Sequence, residues 1–261
     1  MLREFFIKIF STTEGSQSIE LFNVWHILYL LLIIGGSIAG AILIRNKSQR
    51  TKDLTLKILA WLIPSLYIAD FLIMPLSRSS FTIDTDKLPF HICTLMAFFA
   101  PFAQFNKKFE PIKEAICCLT LVASLMYMTY PGSAIGDILP WCYRVVQTFL
   151  YHGAMFAWAL LSLATGSISL NFRTIWKALV GIVLIIIWAS IGNNVYSYEE
   201  HHYDWFFVTG STFPFIPYPE VLMPIVVFVA VGGMCAIIHL IDLGVKRVVA
   251  KIDAKKSQEQ Q

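Results

Sequence analysis

Seven long apolar stretches account for most of this sequence, and they limit the chain to an integral membrane fold. A helix of about 20 residues rises about 30 Å, which matches the hydrocarbon core of a bilayer. The stretches cover residues 24–44, 54–76, 88–105, 112–130, 145–165, 175–191 and 221–241. The sequence therefore predicts an all-α fold, a multi-pass transmembrane bundle of seven helices.

Composition supports the same fold class. Hydrophobic residues make up 57% of the 261 residues and charged residues only 14%, against about 25% in a soluble domain. So little charge cannot cover a soluble surface, and the net charge of +3 is a poor basis for nucleic-acid binding. The five cysteines are odd in number and lack CxxC spacing, so neither a disulfide framework nor a metal site is expected. We also expect no cofactor and no cleaved signal peptide.

The positions of the basic residues predict how the spans are oriented. Most of the 20 lysines and arginines fall in alternate segments between spans, whereas the long segment 192–220 has none. Because basic segments tend to stay in the cytoplasm, the N-terminus is predicted outside and the C-terminus in the cytoplasm. The predicted organisation is an external segment 1–23, a membrane domain 24–241 with an external aromatic cap at 192–220, and a cytoplasmic basic tail 242–261. A bacterial plasma membrane is the expected location.

Ionisable side chains at membrane depth mark the candidate site. A charged group at the centre of a span costs about 2.5–3.5 kcal/mol to insert, so each one invites a functional explanation. Asp70, His91, Cys93 and His152 lie about 5–10 Å inside the predicted external ends of their spans, and Arg144 lies at such an end. Because these groups share one leaflet, we predict that Asp70, His91, Arg144 and His152 surround one cavity that opens outward.

A structural explanation is open for each of these residues. Asp70 could bond neighbouring polar groups or pair with Arg144, and His91 could be an interfacial residue. A single membrane cysteine such as Cys93 is usually a small apolar filler.

Histidines and asparagines elsewhere also have structural explanations. His152 could be a packing residue, because the adjacent Gly153 allows a close approach between helices. Asn194 could simply terminate the sixth span. His26 and His239, near the ends of their spans, are expected at the membrane interfaces.

Helical geometry limits which residues could form a catalytic pair. His91 and Cys93 are two positions apart, and such residues face away from each other on a regular helix. His152 is therefore the better candidate for a general base that activates the Cys93 thiol. Histidine suits this role because it can take up and return a proton near neutral pH.

Three segments resemble a known family. LPFHICTLMAFFAPFA at 88–103, YRVVQTFLYHGAM at 143–155 and, more loosely, GNNVYSY at 192–198 are similar to motifs of YwaF-like bacterial integral membrane proteins, relatives of the eukaryotic transmembrane protein 164 family. The resemblance implies a seven-helix fold and lipid acyl transfer through a cysteine. It implies a candidate site made of His91, Cys93, Arg144, Gln147, His152 and Asn194. The cap at 208–221 departs from the tryptophan-rich form usual in the family, which leaves the substrate open.

Two functions compete on this evidence. In the first, an enzyme transfers or hydrolyses a fatty acyl group, with Cys93 and a histidine performing the chemistry, and Arg144 or Asn194 contacting a head group or the oxyanion. Membrane lipids are then the expected partners, and a phospholipid or another acyl donor is the expected substrate. In the second, a transporter or solute-binding protein uses the same polar cluster without chemistry, although no broken helices or clear repeats favour this function. A purely structural subunit would need none of these groups.

Overall fold

A computed structural model describes residues 19–73, 87–132, 134–136, 139–197, 202–209 and 217–259. The structure in these ranges is helical and contains no β-strand, only an isolated bridge between Ile19 and Gly136. Seven α-helices lie in the described ranges: α1 (Val24–Arg45, with a π-helical turn at Leu31–Gly35), α2 (Gln49–Ile73), α3 (Ile92–Phe105), α4 (Lys113–Thr129), α5 (Tyr143–Ala164), α6 (Trp176–Tyr196) and α7 (Pro219–Glu259). Short 3-10 turns lie at Lys107–Ile112, Phe172–Thr174 and Trp205–Phe207.

Each helix coincides with one predicted apolar stretch. Within the described ranges, six helices are long and apolar enough to cross a membrane, and α3, with 14 residues, is the shorter seventh. The third helix begins at Ile92, four residues after the predicted start of the third span, because residues 88–91 form a turn. The predicted end of the second span at residue 76 lies outside the described residues, as do most of the segment 1–23 and much of the cap.

The chain divides into two compact units, Met1–Ile168 and Ser169–Gln261. In the first unit, α5 packs against α1, α2 and α4, while α3 packs against α2 and α4. Helix α5 is the most buried of the candidate spans and also the least hydrophobic. Since its side chains face protein more than lipid, α5 can carry polar residues that a lipid-facing helix could not.

Helices α1 and α5 approach closely at Gly153, as its position beside His152 predicts. A Cβ atom placed on Gly153 would lie 3.1 Å from the side chain of Ile33, within the π-helical turn of α1. A residue larger than glycine would therefore require the Ile33 side chain to shift by a few tenths of an ångström. This contact lies directly beside the candidate site.

His26 is not an interfacial residue, contrary to the prediction. Its side chain is fully buried, and its ring joins the start of α1 to the end of α4. The backbone N–H of Phe22 donates to Nδ1 at 2.9 Å, so Nε2 must carry the proton that it donates to the carbonyl of Met128 at 2.8 Å. Both ring nitrogens therefore serve the packing of the first unit.

The second unit contains α6, α7 and the segment 202–209. Asn193, near the end of α6, fixes this segment because its Oδ1 accepts from the backbone N–H of Trp205 at 2.8 Å and its Nδ2 donates to the Trp205 carbonyl at 3.2 Å. His239 on α7 is buried too, which corrects the second interfacial prediction, and its Nδ1 donates to the carbonyl of Cys235.

Candidate functional site

His152 lies on the buried face of α5, and its ring is held on two sides. Its Nδ1 is 2.8 Å from the carbonyl oxygen of Thr148, one turn earlier on the same helix. The ring of Tyr127 on α4 stacks face to face on the imidazole, with centroids 3.6 Å apart and planes 5° apart. The Tyr127 hydroxyl in turn accepts from the hydroxyl of Thr148 at 3.0 Å. These contacts fix the plane and direction of the His152 ring.

The hydrogen bonds of His152 determine which nitrogen can act as a base. A carbonyl oxygen can only accept, so Nδ1 must carry the proton that bonds Thr148. In the neutral ring Nε2 is then an unprotonated acceptor. This atom is buried and has no hydrogen-bond partner within the described part of the chain. Because buried polar atoms are nearly always satisfied, an unmatched one marks a place where another molecule is expected to bind.

Cys93 lies in the first turn of α3, next to the α5 segment that carries His152. The hydroxyl of Tyr151, the residue before His152, donates to the backbone carbonyl of Cys93 at 2.8 Å. The Cys93 thiol donates to the carbonyl of Ala123 on α4 at 3.7 Å. Among the described residues, the thiol's hydrogen-bond partner is thus Ala123 rather than a histidine. The two helices are joined directly at the site, but the predicted pair of Cys93 with His152 is not a hydrogen bond in this structure.

His91 is the N-cap residue of α3 and has an extended backbone, with φ −82° and ψ 149°. Its carbonyl accepts from the hydroxyl of Thr94 at 2.8 Å. Because helix geometry begins only after His91, the argument that it faces away from Cys93 on a regular helix does not apply. The His91 side chain is half-buried and lies within electrostatic range of His152.

Asp70 forms an ion pair with Lys87, not with Arg144. The Asp70 carboxylate is 2% exposed, and the ammonium group of Lys87 lies 2.6 Å from it. The Tyr67 hydroxyl donates to the backbone carbonyl of Lys87, which holds this residue against α2. Lys87 also lies within electrostatic range of His152. The sequence interpretation missed Lys87, although its place directly before the LPFH segment was the available signal.

The remaining predicted residues have different positions. Gln147 is buried on α5, and its Nε2 donates to the carbonyl of Leu66 on α2 at 3.0 Å. Arg144 is exposed in the first turn of α5. Asn194 is exposed near the end of α6 in the second unit, where its Nδ2 donates to the carbonyl of Ser190. All the predicted site residues except Asn194 belong to the first unit, Arg144 included. The catalytic and binding roles of all of them stay predictions.

A sequence model of the TMEM164 family matches residues 21–241. The chain belongs to the TMEM164 family. The match includes every described helix from α1 to α6, all the candidate site residues and the first part of α7. No curated protein and no solved structure matches the chain. Membership of the TMEM164 family and six candidate membrane-spanning helices in the described residues together identify a multi-pass membrane protein.

The TMEM164 match confirms the wider family that the three segments indicated. It does not extend to the YwaF-like bacterial proteins, so that closer relationship stays a prediction. Among the described residues, no group of three histidine, cysteine or acidic side chains is placed to hold a metal ion. The described side chains of the site include an imidazole, a thiol and a buried ion pair.

Proposed function

We propose that this TMEM164 family member is a membrane enzyme that transfers or hydrolyses a fatty acyl group, with Cys93 as the nucleophile and His152 as the general base. The observation that supports this proposal most directly is the buried, unpartnered Nε2 of His152 within the described residues. An unprotonated imidazole nitrogen held rigidly by Thr148 and Tyr127 is a proton acceptor with a fixed direction.

The proposed reaction has two steps. In the first, the Cys93 thiol leaves the Ala123 carbonyl and passes its proton to Nε2 of His152 while its sulfur attacks the acyl carbonyl. The leaving alcohol then takes the proton from His152, and the acyl group remains on Cys93 as a thioester. In the second, an acceptor hydroxyl or water gives a proton to His152 and attacks the thioester. The departing Cys93 sulfur then takes this proton from His152, which restores the thiol and the neutral imidazole.

Lys87 is the cation best placed to act on an anionic substrate at this site. Asp70 holds its ammonium at 2.6 Å, and the Lys87 side chain is 31% exposed, so it can still meet a ligand. Arg144 was the sequence candidate for this role, but Lys87 is the cation that is anchored to the buried Asp70 and, through the Tyr67 hydroxyl, to α2. We therefore assign to Lys87 the contact with a phosphate group or with the developing oxyanion.

Trapping of the covalent intermediate tests the proposal. Purified protein is incubated with a phospholipid carrying a labelled acyl chain, then denatured and treated with neutral hydroxylamine, which cleaves thioesters. Label released from wild type, absent in Cys93→Ala and strongly reduced in His152→Ala, is the expected result. Cys142→Ala is the matched control, because that buried cysteine lies outside the site, in the core around Ile19 and Phe149.

Label retained by Cys93→Ala would reject the nucleophile. If wild type gains no label but binds the lipid, with binding lost in His152→Ala, the same cluster would be a binding or transport site without chemistry. The buried Asp70–Lys87 pair is also compatible with this alternative, because charged pairs within membrane proteins often line binding or transport sites.

The proposal includes a topology of seven membrane crossings, with the N-terminus outside and the C-terminus in the cytoplasm of a bacterial plasma membrane. The 14 residues of α3 rise only about 21 Å, so α3 needs the turn at 88–91 to complete the crossing. A reporter fused after Gln261 should respond as cytoplasmic, and an external response would overturn this orientation.

A further inference from the structure

A polar groove lies at one end of the second unit, separate from the Cys93 and His152 chemistry. Its volume is about 640 Å³, and it is bounded by the last turns of α6, the segment 202–209 and the first turns of α7. The polar or aromatic side chains that line it include Asn194, His202, Tyr203, Thr209 and Glu220. Because α6 and α7 are candidate spans, the groove lies at the depth where a bilayer gives way to its head groups.

Hydrogen bonds and ring stacking fix the walls of the groove. Asn193 bonds both backbone groups of Trp205, and the Ser197 hydroxyl accepts from the N–H of Tyr203 at 3.1 Å. The rings of Tyr203 and Trp205 stack with centroids 4.2 Å apart and planes 6° apart. The segment 202–209 is thus tied to α6, so a ligand would meet a surface that is already ordered.

The chemistry of the lining favours a cation. Glu220 is the formally charged residue among the described lining residues, which include no lysine or arginine. Asn194 uses one N–H of its Nδ2 on the Ser190 carbonyl, and its amide oxygen can face a ligand. A phosphate or carboxylate ligand would meet the Glu220 carboxylate with no lysine or arginine in the described lining to balance the two negative charges, whereas an ammonium group would find a counter-charge.

We propose that this groove binds an organic ammonium group, carried either by a phospholipid head group or by a free amine. Glu220 supplies the counter-charge, the amide and hydroxyl oxygens contact the positive head and accept hydrogen bonds where the ammonium carries N–H groups, and the ordered aromatic wall at Tyr203 packs against the carbon substituents. The structural alternative for Glu220 is a favourable charge at the N-terminus of α7, which would affect stability but not ligand choice.

Binding of choline to the purified full chain tests the proposal. In an uncharged maltoside detergent, labelled choline is measured by equilibrium dialysis, with 3,3-dimethyl-1-butanol as a competitor of the same shape without the charge. We expect saturable choline binding that the neutral analogue does not displace. Glu220→Gln should weaken it about two- to fivefold, the size expected for one exposed charge pair.

Two variants control for folding and for general charge. Glu220→Asp keeps the charge and should retain binding, while Glu110→Gln removes an exposed carboxylate in the first unit and should leave binding unchanged. In vesicles, immobilisation of spin-labelled phosphatidylcholine over phosphatidylglycerol would identify a lipid head group as the source, and choline binding without this preference would identify a free amine. Equal binding by wild type and Glu220→Gln in both assays, or equal displacement by the neutral analogue, would overturn the proposal.

Discussion

Two buried histidines of the first unit, His26 and His152, both contact aromatic rings yet differ in one respect. The ring of His26 lies near Phe149 of α5, three residues before His152. His26 spends both nitrogens on backbone groups, at 2.9 and 2.8 Å, and so joins two helices. His152 donates from Nδ1 to the Thr148 carbonyl on its own helix, and its Nε2 has no hydrogen-bond partner in the described part of the chain.

The comparison separates a histidine that stabilises the fold from one that the fold orients for the proposed catalysis. Burial alone does not distinguish them, since both are at most 4% exposed. The hydrogen bonds do distinguish them, because His26 has partners on both ring nitrogens, whereas His152 has a partner on one of them within the described residues. An unmatched buried nitrogen costs stability, and such a cost is usually retained at sites that bind or react.

The largest expected effect is on catalysis. His152→Ala should lower acyl transfer per folded molecule by about 10²–10⁴-fold, the usual contribution of a general base, because the Cys93 thiol then has no proton acceptor. His26→Ala should leave acyl transfer per folded molecule nearly unchanged but reduce the free energy of unfolding by about 2–4 kcal/mol, since it removes two hydrogen bonds and opens a cavity. Labelled-phospholipid turnover and thermal unfolding in detergent measure the two effects.

We therefore expect His152→Ala to lower mainly turnover and His26→Ala to lower mainly stability. If His26→Ala and His152→Ala lost the same fraction of both turnover and stability, the distinction between the two histidines would be wrong. His152 would then be a packing residue whose unmatched nitrogen has no function.

The helices could be predicted from sequence because their apolar stretches must match the bilayer, and this constraint acts on each stretch separately. The candidate residues Asp70, Cys93 and His152 could also be predicted, since polar groups are expensive at that depth. The hydrogen-bond and ion-pair partners of these residues could not be predicted. Asp70 pairs with Lys87 and not Arg144 because a turn brings the residue before α3 against α2, and hydropathy carries no information about such a turn.

The structural role of His26 was missed for a related reason. Its partners, the Phe22 N–H and the Met128 carbonyl, are backbone groups, which have no signature in the sequence. The same applies to the Cys93 thiol and the Ala123 carbonyl. Depth in a membrane can therefore be predicted from the pattern of residues, whereas the partner of a buried polar group depends on packing.

The second prediction concerns the ion pair in the neighbourhood of His152. Lys87→Met should reduce the free energy of unfolding by about 3–5 kcal/mol, because it leaves the buried Asp70 carboxylate unpaired. The double variant Lys87→Met with Asp70→Asn should recover most of this loss, since no buried charge remains. Thermal unfolding of both proteins in the same detergent provides the measurement.

An exposed pair of equal length is the control for this prediction. Lys57 and Asp53 are also 2.6 Å apart, but both side chains are more than 40% exposed. Lys57→Met should therefore cost at most about 1 kcal/mol. Equal losses for Lys87→Met and Lys57→Met would show that burial of Asp70 does not govern the strength of its pairing.

The smallest of the three effects concerns how His152 is aimed. Tyr127→Leu removes the ring stacked at 3.6 Å on the imidazole, so Nε2 loses its fixed direction, and turnover should fall on the order of 10- to 100-fold with KM little changed. Tyr127→Phe keeps the ring and loses only the hydroxyl bonded to Thr148, so it should restore most of the turnover.

The matched control is Tyr29→Leu, which removes a ring stacked at 4.3 Å on Phe149, a residue that also lies near His26. This variant should lower stability without lowering turnover per folded molecule. Steady-state kinetics, with turnover divided by the amount of folded protein, distinguishes these outcomes. Full turnover by Tyr127→Leu would mean that the Thr148 carbonyl alone orients His152, and Tyr127 would then belong with His26 among the groups that serve packing.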